Sequence, residues 1–322
     1  CDTFSLMMIS PVLSRSWILG FSSFSCQMAL GTMILIGQFD KSKDSSIFGT
    51  PFKVNNSSVH VAQFLAIILC LSTQSDILSS IKTILILGRG SNWKKVIGEK
   101  DSRASCTLWL VRVGLPNIFK FSQGLVVVFA SFVIIVQNKE TIDLLKDFTS
   151  LMIVSEFDNI IFNLASYGYL GDELHLQADN ITDEEQKTNI LTSQKRRKTA
   201  FRFVRFIFVA ILSAMFIGWG IIFRMQSQGT MFDAQFPGCG KENYDLAFEV
   251  FDDGKCYGGP FNTIECKYEG GDCANFNTAY PSCNGKDLKY LHDVESEVGN
   301  NNCNITFAIP QCEYDGGDCC PY

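Results

Sequence analysis

Cys266-Lys267-Tyr268-Glu269-Gly270-Gly271-Asp272-Cys273 and Cys312-Glu313-Tyr314-Asp315-Gly316-Gly317-Asp318-Cys319 are one unit used twice. At identical spacing, each has a cysteine, an aromatic, a carboxylate, two glycines, a second carboxylate and a closing cysteine. Glycine adopts positive φ at little steric cost, so such a turn can tighten until its two acids face one point. Paired hard oxygen donors framed by cysteines read as a disulfide-stapled calcium loop. Upstream, Cys239 and Cys256 precede the first turn, and Cys283 and Cys303 precede the second, giving modules at 239–273 and 283–322. Four cysteines in a module allow three connectivities, and spacing leaves all three open.

The residues around the turns carry a resemblance. Phe236-Pro237-Gly238-Cys239, Asp253-Gly254-Lys255-Cys256 and Phe261-Asn262-Thr263 in the first module, with Tyr280-Pro281-Ser282-Cys283 and Gly299-Asn300-Asn301-Asn302-Cys303 in the second, resemble Notch-type (LNR) repeats. The resemblance covers about the last quarter of the chain, in a shortened form with Gly259 and Thr306 near the family's third cysteine. It implies the pairs Cys239 with Cys273, Cys256 with Cys266, Cys283 with Cys319 and Cys303 with Cys312, leaving Cys320 over. It also implies calcium as the cofactor, held by Asp253, Glu269 and Asp272 in one module and by Asn300, Asp315 and Asp318 in the other. Glu269 stands where the family usually has Asp.

Composition divides the chain near residue 225. Residues 226–322 hold sixteen Asp and Glu against five Lys and Arg, a net charge of −11, whereas the whole chain is −6 and residues 1–225 are therefore +5. Nine of the thirteen cysteines fall in that acidic tail. Modules of thirty-odd residues bury too little apolar surface to fold unaided, and disulfides persist in oxidising compartments, so the tail belongs on an extracellular or lumenal face.

Ahead of it, the sequence predicts an all-α transmembrane bundle with five spans, near 17–38, 61–87, 115–137, 141–166 and 205–223, joined to the tail by a linker at 226–238. Trp17 to Gln38 runs 22 residues without a charge, enough for a hydrocarbon layer of ~30 Å. The loops 88–114 and 167–204 are basic or end in Lys195-Arg196-Arg197-Lys198, which places them in the cytosol. A break is expected at Gly114-Leu115-Pro116. The N-terminus is then cytosolic, and the sequons at Asn55, Asn56 and Asn304 lie outside as glycosylation sites. A multi-pass protein of the plasma membrane fits this topology.

Polar residues inside the spans suggest a second constellation. Asp76, Lys120, Glu156 and Asp158 fall at similar depth and form one cluster, read either as a packing network or as a proton or cation pathway. His60, His175 and His292 are scattered, and neither a phosphate loop nor a nucleophile elbow is present. Display is the expected role: a non-enzymatic surface protein whose partners are the bilayer, an extracellular or lumenal protein, and further copies of itself in an oligomer, with no nucleic acid. The alternative is an ion channel or transporter capped by the two modules.

Overall fold

The computed structural model describes residues 2–41, 49–52, 54, 57–73, 75–88, 93, 106–191, 194–240, 244–251, 253–283 and 293–319. It forms two compact units, Cys1–Ile221 and Ile222–Tyr322, and no strand occurs among the described residues. The helices of the first unit are Thr3–Ile9 (α1), Arg15–Lys41 (α2), Ser57–Thr73 (α3), Ser75–Ile86 (α4), Cys106–Gln137 (α5), Thr141–Ser155 (α6), Phe157–Ser166 (α7), Asp172–Leu191 (α8) and Gln194–Ser227 (α9), the last running on into the second unit. Three of them, over Arg15–Phe39, Cys106–Gln137 and Arg197–Ser227, are long and apolar enough to cross a membrane, and Ser57–Cys70 is a shorter apolar helix.

Helix α5 is the post of the bundle. Its apolar window is 56% buried, against 22% for α2 and 11% for α9, so α5 is packed by neighbours while most of α9 faces outward. The core joins Ile67 and Cys70 of α3, Ile77 of α4, Ile134 and Ile135 of α5, Phe148 and Leu151 of α6 and Met215 of α9. Trp219 Nε1 donates to Gln63 Oε1 at 3.0 Å, tying α9 to α3. Cys26, Cys70 and Cys106 lie outside the four disulfides of the second unit.

Helices α4 and α5 meet closely at Gly124. A Cβ there would stand 2.6 Å from Ile77 Cγ1 and 3.2 Å from the Ile77 amide nitrogen, so α4 lies directly on the backbone of α5. Gly124→Leu is expected to cost about 1–3 kcal/mol through overpacking, seen as a lowered thermal midpoint in detergent. Gly37→Leu is the control: a Cβ added there would meet nothing within 4 Å, and its midpoint stays put.

Several expectations are corrected. The chain does not break at Gly114-Leu115-Pro116; it stays helical through a π turn at Leu110–Gly114, where the Leu115 N–H reaches the Leu110 carbonyl. A wider turn gives the proline ring room against the preceding carbonyls. The polar segment expected as a loop at 167–204 is helical over Asp172–Leu191 and again from Gln194, with Asp172 and Glu173 in the first turn, where the helix dipole favours acids. The stretch 141–166 is two helices, bent at Glu156. Asn55, Asn56, most of the basic segment 88–105, His292 and Cys320 lie outside the described residues.

In the second unit, short helices at Thr230–Gln235 (α10), Tyr244–Val250 (α11), Ala274–Ala279 (α12) and Val294–Glu297 (α13) are strung on irregular chain. Phe251 is the centre of a ring cluster, with centroids 5.5 Å from Phe232, 5.0 Å from Phe236 and 5.2 Å from Phe261. A second cluster joins the two modules, because Cys256, Cys273 and Phe276 pack with Val294, Val298, Phe307 and Cys312. The Val294 N–H also donates to the Cys256 carbonyl at 2.8 Å. The two repeats therefore share a core.

All eight expected cysteines are bonded, but with exchanged partners: Cys239–Cys266, Cys256–Cys273, Cys283–Cys312 and Cys303–Cys319. The pairing is interlaced, first with third and second with fourth, where the resemblance implied first with fourth and second with third. Its physical reason is the acid of each turn. Glu269 Oε2 accepts the N–H of Tyr257, the residue after Cys256, and so draws Cys256 to the closing end of the turn beside Cys273. Asp315 Oδ2 does the same to Asn304, the residue after Cys303.

Candidate metal centre

Each acidic turn is a run of left-handed backbone. Lys267, Tyr268 and Glu269 have φ of 50, 55 and 62°, followed by Gly270 and Gly271 at 74 and 115°; Glu313, Tyr314 and Asp315 have 53, 54 and 66°, followed by Gly316 and Gly317 at 62 and 95°. Three consecutive non-glycine residues in this region are each unfavourable by roughly 1–2 kcal/mol, and the surrounding disulfide and hydrogen bonds must hold them. Within each module the two acids differ in burial. Glu269 and Asp315 are fully buried, while Asp272 and Asp318 stay partly exposed.

The inner acid is a backbone acceptor. Glu269 Oε2 takes the Tyr257 N–H at 2.6 Å and Asp315 Oδ2 the Asn304 N–H at 2.5 Å. Their other oxygens, Glu269 Oε1 and Asp315 Oδ1, are buried and accept no hydrogen bond from the protein. Burial, reinforced by the charges of Asp272 and Asp253, pushes the Glu269 carboxyl up to about 8, against the pull of the Tyr257 and Gly258 amides.

The outer acid faces the loop before the second cysteine. Asp272 Oδ2 accepts the Asp253 N–H at 3.3 Å, and Asp318 Oδ2 accepts the Asn301 N–H at 2.6 Å. The remaining expected ligands fold back on their own loops: Asp253 Oδ1 takes the Lys255 N–H at 2.9 Å and Asn300 Oδ1 the Asn302 N–H at 2.8 Å. Tyr257 also donates its hydroxyl to Asp253 Oδ2 at 2.9 Å, a bond that pushes the phenol up to about 12. Asn304 is engaged on both sides, with Nδ2 on Glu297 Oε2 and Oδ1 on the Thr306 N–H.

These residues fit a calcium ion in one respect. The donors are hard oxygens, and each turn keeps one buried carboxylate oxygen without a partner. Cys256, Glu269 and Cys273 also place one atom each within 4.8 Å of one another, but both sulfurs are spent in a disulfide and supply no thiolate.

In the membrane unit, three of the four residues expected to cluster do meet. Lys120 Nζ lies 3.5 Å from Asp76 Oδ1, and one oxygen of Asp158 lies within 4.8 Å of one on Asp76. Glu156 instead sits at the bend, its Oε2 accepting from the Asn159 side-chain Nδ2 at 2.6 Å. Two members were missed. Asp2 pairs with Lys120 and also caps α1 by accepting the Ser5 N–H at 2.8 Å; Gln27 of α2 donates to Asp158 Oδ1 at 3.0 Å. Asp2 lies outside every apolar run, and its only sequence signal is an acid one residue before a short amphipathic helix.

No family model, curated protein or solved structure matches the chain.

Proposed function

We propose that this chain is a multi-span membrane protein that displays two fused, disulfide-stapled, calcium-binding modules on the extracellular or lumenal side, where they engage a protein partner. The observation that carries the reading is duplication at atomic detail. Both turns repeat the same left-handed run, inner acid, amide bond and interlaced cysteines, on two sequences that share little else. A calcium ion would be held by Glu269 Oε1 or Asp315 Oδ1 together with the outer acid and a loop oxygen from Asp253 or Asn300. It would neutralise charge that a net −11 tail concentrates in small modules.

The membrane part of the reading extends the three apolar helices to five crossings, with α3–α4 and α6–α7 as the others. It places the tail and Asn304 outside, on a glycoprotein of the cell surface. Binding rather than catalysis is the proposed activity.

Calorimetry on the full chain in detergent tests the calcium site. The expected results are calcium-dependent heat, a raised thermal midpoint over chelator, and ~10-fold weaker binding to the second site in Asp315→Asn. Identical melts in calcium and chelator, with no binding heat, would sink the calcium reading. A protease-protection and glycan map with Asn304 bare and the tail protected from outside would sink the topology.

A further inference from the structure

We propose that Asp2, Lys120, Asp76 and Asp158 form an exchangeable proton-binding site inside the helical unit, with Asp158 as the carboxyl that carries the proton. The inference goes beyond display and does not depend on the calcium modules. Its basis is geometry and charge. One oxygen each of Asp2, Asp76 and Asp158 lies within 4.8 Å of the others, and all three residues are buried. The single cation among them, Lys120, is itself buried and contacts Asp2 and Asp76. Fully ionised, three carboxylates and one ammonium leave two negative charges away from water, which is strongly unfavourable.

The hydrogen bonds single out Asp158. Its Oδ1 accepts from Gln27 Nε2, and that nitrogen also faces the Val154 and Ser155 carbonyls at 3.1 Å each. Carbonyls only accept, so the amide orientation of Gln27 is fixed with its nitrogen toward α7 and the bend before it. Asp158 Oδ2 is buried and has no partner in the protein. A proton on Oδ2 converts an orphan acceptor into a donor within a cluster of carboxylates, and neighbouring acids that cannot all ionise hold a proton among them. Lys120 already supplies the positive charge between Asp2 and Asp76, and it repels a metal ion from the same space.

Charged groups reach the site from four helices and the bend: Asp2 from α1, Asp76 from α4, Lys120 from α5, Asp158 from α7, and Glu156 at the bend, near enough to act on Asp76. Helix α6 offers only the Val154 and Ser155 carbonyls. Helix α2 contributes the neutral Gln27. On release, the Asp158 O–H bond breaks, its electron pair stays on the carboxylate, and the proton passes to water. One charge then appears where α1, α2, α4, α5 and α7 meet, which makes their packing sensitive to pH.

The test is infrared difference spectroscopy on the full chain in lipid nanodiscs, in a Glu269→Gln background because that carboxyl is also held high. A protonated-carboxyl carbonyl band is expected at neutral pH, shifted in heavy water, bleached as pH rises, lost in Asp158→Asn and kept in Glu156→Gln. Absence of the band in the otherwise native chain at neutral pH overturns the proposal and needs no cluster variant to fold. A band that survives Asp158→Asn overturns the assignment, and a band that appears only after chelation overturns it in favour of a bound cation.

Discussion

Lys120→Met is expected to lower the stability of the helical unit by about 3–5 kcal/mol, the usual consequence of removing one partner from a buried ion pair. Methionine matches the length of the lysine stem, so packing on α5 is kept and the change is mostly one of charge. What remains is a trio of buried carboxylates, Asp2, Asp76 and Asp158, with no cation against them. The measurement is the thermal midpoint of the detergent-solubilised chain, with Lys120→Met compared against Lys120→Met/Asp76→Asn. Removing one carboxylate alongside the lysine should recover a good part of the loss. A single variant as stable as the native chain would mean that the cluster is open to water and the ion pair counts for little.

Cys256→Ser/Cys273→Ser is expected to cost the second unit about 2–5 kcal/mol, near the upper part of what a disulfide closing a short loop supplies. The loop is short, with a sequence separation of 17, so the entropic part alone is about 3 kcal/mol. Two further effects add to it. Both sulfurs are fully buried in the cluster that joins the modules, and the bond closes the left-handed run that presents Glu269 to the Tyr257 amide. Proteolysis of the full chain under non-reducing conditions reads both claims. The variant should be cut in residues 239–273 well before the native protein, and native fragments should carry Cys239 with Cys266 and Cys256 with Cys273. Recovery of Cys239 linked to Cys273 would overturn the interlaced pairing.

The duplicated turns were legible because identical spacing survives between two otherwise different stretches, and so were the three long apolar helices. The direction of the acids was not. Gly270 and Gly271 announce positive φ, but nothing in Lys267-Tyr268-Glu269 announces that the three residues before them share it, or that Glu269 is buried while Asp272 stays at the rim. The cysteine partners follow from the same turn, so an expectation drawn from resemblance paired them differently. In the membrane unit, depth along separate helices brought Asp76, Lys120 and Asp158 together correctly, yet it could not register the bend that diverts Glu156 to Asn159. Helix α8 was missed because its buried stripe is only three residues, Leu174, Ala178 and Ile181 at i, i+4 and i+7, diluted in an otherwise polar segment.

The interlaced bonds also decide how the tail responds to being nicked. A cut anywhere between Cys239 and Cys273, or between Cys283 and Cys319, leaves both pieces tethered through at least one bridge. Among these bridges none crosses 274–282, so that joint is the only point between the first and last of these cysteines at which a protease sheds the distal module. Helix α12 occupies most of the joint, anchored by Phe276 in the shared core with Tyr280 packed beside it. Ala274, Asn275, Thr278, Ala279, Pro281 and Ser282 are exposed, so the severable stretch is held in a helix yet open to solvent.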